Sequence, residues 1–191
     1  MGANTVHQPK LFRVTRYAAL LRGVNVAGRR MSMAELRMVL TGLGLGDVRT
    51  YLQSGQAVFD DSRDGDRLAA ELTRALTGHF GFETDVIVRD HGFLRKIVDA
   101  CPFVAADVAA RQLHCTFFSR PVDESRYADI DRADYLPEKF QLGDRVLYLL
   151  APNGIGRSKL AERLSRRRLE DDLIGTSRNW NTVVKLMELT A

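Results

Sequence analysis

The chain has 191 residues, 45% hydrophobic and 27% charged, with 28 Lys+Arg against 24 Asp+Glu and a formal net charge of +4. That is the composition of a folded globular protein, long enough to bury roughly 70% of the surface its unfolded chain exposes, and it excludes disordered, collagen-like and disulfide-scaffold classes. The longest apolar stretches, such as Val146 to Ala151, are strand-sized and fall far short of the roughly 18 residues of a membrane span, which excludes a spanning helix.

The first residues, Met1 to Val14, are polar and carry no apolar signal core. With only two cysteines, Cys101 and Cys115, the expectation is a cytoplasmic protein with reduced, buried thiols and no membrane partner. The charge is unevenly placed. Residues 1–40 carry seven Lys/Arg against one Glu, residues 41–150 thirteen against eighteen acids, and residues 151–191 eight against five. Two basic ends flank an acidic middle, and if they meet in the fold they make a surface suited to phosphate or nucleic acid. Arginine dominates the basic residues, 23 to 5 over lysine, which the codon bias of a GC-rich genome also produces.

Taken in chain order, Arg16–Val24 predicts a strand leading into a turn with Gly23, Asn25 and Gly28. Ser32 with Glu35 forms a capping box ahead of Leu36, Val39, Leu40 and Leu43, predicting a helix that Gly42, Gly44 and Gly46 end. Val48–Gln53 and Gln56–Asp60 predict two strands across a two-residue Ser54-Gly55 turn. Asp66 predicts the cap of a helix with Leu68, Leu72, Leu76 and Phe80 on one face, and Thr84–Arg89 alternates as a strand.

The second half echoes the first. His91–Ala100 predicts a short helix stopped by Pro102, Leu113–Ser119 a strand, and Asp123–Asp131 an acid-rich helix. Glu138–Leu142 and Arg145–Ala151 pair as strands across Gly143-Asp144, Ser158–Arg168 reads as a basic helix with Leu160 and Leu164 inward, and Arg178–Leu189 as the last helix. The order strand, helix, strand, strand, helix recurs, with the sixth element predicted as a helix instead of a strand. The fold class is therefore α+β: two ferredoxin-like halves, residues 16–90 and 91–191, with antiparallel sheets packed on helices, after a flexible extension over 1–15.

Four segments carry candidate chemistry. Gly23 to Arg30 has the glycine spacing of a phosphate loop, but Arg29 stands at the lysine position and Arg30 where a Mg²⁺-holding hydroxyl belongs, so it reads as an anion-binding turn with Arg22 and Asn25 and not as an NTPase site. In Gln53-Ser54-Gly55-Gln56 the side-chain amides and the Ser54 hydroxyl cluster at a hairpin end. In Asn153 to Lys159, Arg157, Ser158 and Lys159 open a helix; cations oppose the macrodipole there, so an anion is expected between them. In Thr176 to Thr182, Thr176 or Ser177 caps a helix. Trp180 lies on its apolar stripe, and Arg178, Asn179 and Asn181 add hydrogen-bonding capacity that a base stacked on Trp180 would use.

Catalytic and metal patterns are weak. His7, His79, His91 and His114 have no ligand spacing, His114 and Cys115 alternate onto opposite sheet faces, Ser54 lacks the first glycine of a nucleophile elbow, and Asp171-Asp172 reads as a solvated loop. No metal and no cofactor is expected.

The segments Ala19 to Gly28, Tyr51 to Gly55, Asn153 to Leu160 and Arg178 to Val183 together resemble the bacterial domain-of-unknown-function family 1697, over nearly all of the chain from Arg16 to Leu189. The family pattern resembles R-G-I-N-V-G-G-[KH]-N and Q-S-G-N; here Ala27 replaces a glycine, Arg29 and Arg30 stand for the K/H-N pair, and Gln56 replaces an asparagine. The resemblance implies no established activity and no assigned catalytic residues. The leading expectation is a binding module for a phosphate-bearing ligand, nucleotide or nucleic acid, with Arg22, Arg157, Lys159 and Arg178 converging on one pocket. A second reading is an enzyme acting on a phosphorylated small molecule with Ser54 or Ser158 near the anion, and a third is a structural or interaction protein. Nothing in the residues specifies an oligomeric state.

Overall fold

The alternating apolar runs become strands of two four-stranded antiparallel sheets. The structure, a computed structural model, describes residues 13–26, 28–103, 108–109, 111–166 and 173–191. Of the expected N-terminal extension only its end is described, and Thr15 already opens the first strand. The first half runs β1 (Thr15–Leu21), α1 (Met33–Gly42), β2 (Gly46–Tyr51), β3 (Gln56–Asp61), α2 (Gly65–Phe80) and β4 (Val86–Asp90), followed by α3 (His91–Asp99). The second runs β5 (Leu113–Phe118), two 3-10 turns, β6 (Lys139–Gly143), β7 (Val146–Leu150), α4 (Lys159–Ser165) and β8 (Gly175–Asn179), followed by α5 (Trp180–Leu189).

The sheet orders are β2-β3-β1-β4 and β6-β7-β5-β8. Both are the same ferredoxin-like arrangement, each half closing with a strand that runs directly into a helix. The sixth element of the second half is thus a strand, not the helix expected from Arg178 onward. Gly-Thr-Ser-Arg-Asn has no apolar alternation to announce it; polar Thr176 and Arg178 are its buried positions and Ser177 and Asn179 its exposed ones.

The two sheets face each other across a central apolar cluster. Ala18, Leu20, Val58 and Ile87 of the first sheet meet Cys115, Phe117, Val146 and Tyr148 of the second, with Leu94 of α3 and Trp180 and Val183 of α5 in the same cluster. The other face of the first sheet, with Ala19, Phe59 and Val88, buries Leu36 and Leu40 of α1 and Leu68, Leu72 and Leu76 of α2. The other face of the second sheet gathers Leu147, Leu149 and Phe140 with Tyr127 and Leu160. Each burial of a leucine-sized side chain contributes on the order of 2 kcal/mol before entropy is counted.

Several local expectations are corrected. The β2–β3 connection is four residues, Leu52 to Gly55, because Tyr51 pairs directly with Gln56. Asp64, not Asp66, caps α2, accepting from the Asp66 and Arg67 amides. Ser32 does cap α1, but the Glu35 carboxylate meets His79 Nε2 at 3.0 Å on α2 instead of closing the box. The acid-rich helix is replaced by 3-10 turns at Glu124–Tyr127 and Arg132–Tyr135, since Asp123 and Asp131 each cap a single turn. α4 ends at Ser165; Arg168 and the Asp171-Asp172 pair lie outside the described residues.

Candidate functional site

The turn after β1 is built by one asparagine. Gly23, Asn25 and Gly28 all take positive φ, at 69°, 55° and 83°, a region that glycine enters freely and asparagine more readily than other side chains. The Asn25 amide then uses both its ends. Nδ2 donates to the carbonyls of Gln53 (2.7 Å) and Met31 (3.1 Å), and Oδ1 accepts from the Met31 amide (2.9 Å). One side chain therefore closes the loop on itself and ties it to the β2–β3 connection. Buried Val24 and Met31 anchor its two ends.

This leaves the arginines outside. Arg22 is exposed and pairs with Asp85 at 3.0 Å. Arg29 reaches toward the Glu83 carbonyl at 3.5 Å and lies 6.0 Å from the Phe82 ring centre. Arg30 is exposed and has no hydrogen-bond or ion-pair partner among the described residues. Asn25, Arg29, Arg30 and Ser32 line a cleft of about 540 Å³.

The adjoining connection is fixed by Gly55 and Gln56. Gly55 has φ +79°, and a Cβ there would overlap Val24 Cγ2 and come within 3.1 Å of Leu21 Cβ, so only glycine fits. Ser54 Oγ lies 3.2 Å from the Gln56 side-chain amide. Gln56 is fully buried; with its amide oriented to satisfy both ends, Nε2 donates to the Tyr51 carbonyl at 2.7 Å and Oε1 accepts from Arg178 Nε.

Arg178 is the centre of this network and is itself buried. Nη1 donates to Thr176 Oγ1 (2.8 Å) and the Ser177 carbonyl (2.7 Å), while Nη2 donates to the Leu21 carbonyl (2.6 Å) and reaches the Gly55 carbonyl at 3.5 Å. Every partner is neutral. Burial without a carboxylate pushes the guanidinium down to about 10. Arg178 is thus a fixed internal cation and offers no surface for a ligand.

Its neighbours divide. Asn179 caps α5 by accepting from the Thr182 amide at 2.9 Å, the role expected of Thr176 or Ser177. Trp180 is 8% exposed and packs in the central cluster, so its ring presents no face for a base to stack on. Asn181 is exposed.

A pseudo-equivalent arginine works in the other direction. Arg89, at the matching place on β4, donates from Nη1 to the Val88 carbonyl (2.8 Å) and from Nη2 to the Phe118 carbonyl (2.5 Å). Leu21 ends β1 and Phe118 ends β5, and their amides donate to equivalent turn carbonyls, Gly55 and Arg145, both at 2.9 Å. Each half therefore inserts a buried arginine into the end of the other half's first strand.

The segment Asn153 to Lys159 stands apart from this network. Ser158 caps α4, accepting from the Ala161 amide at 2.8 Å, and donates to Glu138 Oε2 at 3.0 Å; the Leu160 amide donates to the same oxygen at 2.8 Å. The Glu138 carboxylate thus sits at the start of α4 and takes its exposed backbone and hydroxyl donors. Arg157 and Lys159 are exposed and line a separate cleft of about 460 Å³. Arg22, Arg157 and Arg178 accordingly share no described cleft. Sequence reasoning missed Arg89, Glu138 and Asp85; it placed Gln56 in the hairpin-end cluster but not as the buried partner of Arg178.

Other titratable groups sit singly. Among the described residues no three His, Cys, Asp or Glu side chains gather as a metal site. His91 Nδ1 lies 2.9 Å from the Met187 carbonyl, and the buried Nδ1 of His114 has no partner among the described residues. No described helix is long and apolar enough to cross a membrane.

Comparison with known proteins fits the geometry. A family model described as "Protein of unknown function (DUF1697)" matches residues 14–148. No curated protein matches the chain. A solved structure titled as that of a conserved bacterial protein from Streptococcus pneumoniae superposes with a TM-score of 0.76 at 22% identity, covering 94% of this chain and 100% of the other. At that identity the likeness is one of fold.

Proposed function

The chain belongs to the DUF1697 family of proteins of unknown function, and from that premise we propose that it is a binding module whose Arg22–Ser32 loop holds a phosphate-bearing ligand. One observation carries the reading: Asn25 locks the loop into a shape with three positive-φ residues, and the Arg30 guanidinium stands beside Arg29 over an open cleft with no ion-pair partner among the described residues. A guanidinium without a carboxylate is a strong phosphate donor, its planar fork matching two oxygens at once. The cleft lies within the size range of small-ligand sites, roughly 300–1,000 Å³, which favours a phosphorylated small molecule or mononucleotide over a long strand. Arg157 and Lys159 fall outside this reading because the Glu138 carboxylate already occupies their helix start.

The test is calorimetric titration with inorganic pyrophosphate, a set of mononucleotides and a short single-stranded oligonucleotide. Saturable binding that weakens with salt and falls at least about tenfold in Arg30→Ala, a change of about 1.4 kcal/mol, supports the reading. Absence of binding by every probe, or equal binding by wild type and Arg30→Ala, refutes it.

A further inference from the structure

A third cleft, about 680 Å³ and larger than either described above, opens at the seam between the halves. α2 contributes Ala69, Ala70, Thr73 and Thr77, and the approach to β4 contributes Glu83, Asp85 and Val86. Ser119, just after β5, and Ile174, just before β8, come from the second half. Small-molecule sites favour such junctions between packed units.

The hydroxyls here are unusual in what they leave free. Thr73 Oγ1 accepts from the Val86 amide, Thr77 Oγ1 from the Thr84 amide and Ser119 Oγ from the Ile174 amide, each at 3.1 Å. Each oxygen is held in place by a backbone N–H, and none of the three donates its own proton to another described residue. A hydroxyl has one donor and two acceptor positions, so three anchored O–H groups remain to donate along the cleft. Arg74 and Glu83 also line it, and neither has an ion-pair partner among the described residues, whereas the other charged groups on the lining are engaged, Asp66 with Arg145 at 3.5 Å, Asp85 with Arg22 and Arg120 with a contact of its own. Between these charges lie the apolar surfaces of Ala69, Ala70, Val86 and Ile174.

We propose that this seam cleft binds a small zwitterion, a free α-amino acid or an amino-carboxylate of similar size. The carboxylate takes the hydroxyl protons and Arg74, the ammonium takes Glu83, and the body of the ligand covers the apolar surface. A molecule with only one charge leaves the opposite rim group unmatched, and a mispaired polar group in such a site weakens binding sharply. Asp85 is already paired with Arg22 at 3.0 Å, which leaves Glu83 to receive the ammonium. The proposal is independent of the phosphate reading, since neither Arg29 nor Arg30 lines this cleft.

The experiment is a panel of free L-amino acids titrated into the full chain by calorimetry, each hit repeated with its amide, which lacks the carboxylate, and with its N-acetyl derivative, which lacks the ammonium. The expected result is saturable binding by at least one amino acid and a loss of at least about tenfold with either single-charge analogue. Ala70 is exposed, so Ala70→Trp fills the cleft without disturbing the core, as circular dichroism would verify, and is expected to abolish binding. Arg74→Ala and Glu83→Gln are each expected to weaken it several-fold. Binding by none of the amino acids, binding unchanged in folded Ala70→Trp, or equal binding of the single-charge analogues overturns the proposal.

Discussion

The Nη2 of Arg178 donates to the carbonyl of Leu21 at 2.6 Å, joining the last strand of the second half to the end of the first strand of the other. Arg89 returns the contact to Phe118. Because both guanidinium groups are buried and donate mostly to backbone carbonyls, the two halves are interlocked by hydrogen bonds that neither makes alone.

Arg178→Met tests this lock. Removing the cation relieves the cost of burying a charge, but Thr176 and Gln56 lose their Arg178 donor and the Leu21 carbonyl keeps only the long bond from Thr176 Oγ1 at 3.4 Å. Each unsatisfied buried group costs about 1–3 kcal/mol, so net destabilisation is expected. A lower urea midpoint with the slope of the transition unchanged would bear this out. Arg178→Lys is expected to recover little, since three donors on a flexible stem replace a five-donor fork.

Gly55→Ala places a Cβ against Val24 at a backbone of φ +79°. The left-handed conformation costs roughly 1–2 kcal/mol and the overlap about 1–3 kcal/mol more. Val24→Ala in the same chain removes the overlap but not the backbone cost. A double-mutant cycle is therefore expected to show favourable coupling and incomplete rescue.

Glu138 is the internal anion of the α4 start. Glu138→Gln retains an acceptor and is expected to cost about 0.3–1 kcal/mol through lost interaction with the helix dipole. Glu138→Ala also strands the Leu160 amide and is expected to cost more. Thermal denaturation of the two variants in parallel checks the order.

His114 is held neutral by burial, which pushes its imidazole below the ordinary histidine value near 6.5. The folded state then binds a proton less readily than the unfolded state, so its contribution is fully present above pH about 6.5 and is lost as the pH falls through the folded value. His114→Gln is expected to flatten the acid limb of stability just below pH about 6.5 and leave the neutral region parallel to wild type, as denaturant midpoints across that range would record.

Much of the fold was legible because it rests on local rules. The leucines of α2, the Ser32 cap and the alternation of β4 each declare their element within a few residues. β8 was not legible, because its buried positions are Thr176 and Arg178 and their acceptors come from Leu21 and Gly55, more than a hundred residues away. The same non-locality left the burial of Arg178 unforeseen and hid Glu138, whose partners lie across a strand pair in α4. Asn25 and Gly55 were legible as turn residues, but their joint role, closing two loops on one another, is visible only once β1 and β3 lie side by side.

The proposed role of the Asn25-locked loop is to receive phosphate. The most direct measurement is the amide chemical-shift map of the isotopically labelled chain during titration with inorganic pyrophosphate. Saturable shifts confined to residues 22–32 and their neighbours in 52–55, abolished in Arg30→Ala, are expected. Shifts that scatter over all basic surfaces without saturating, or that centre on Arg157 and Lys159, would contradict the account.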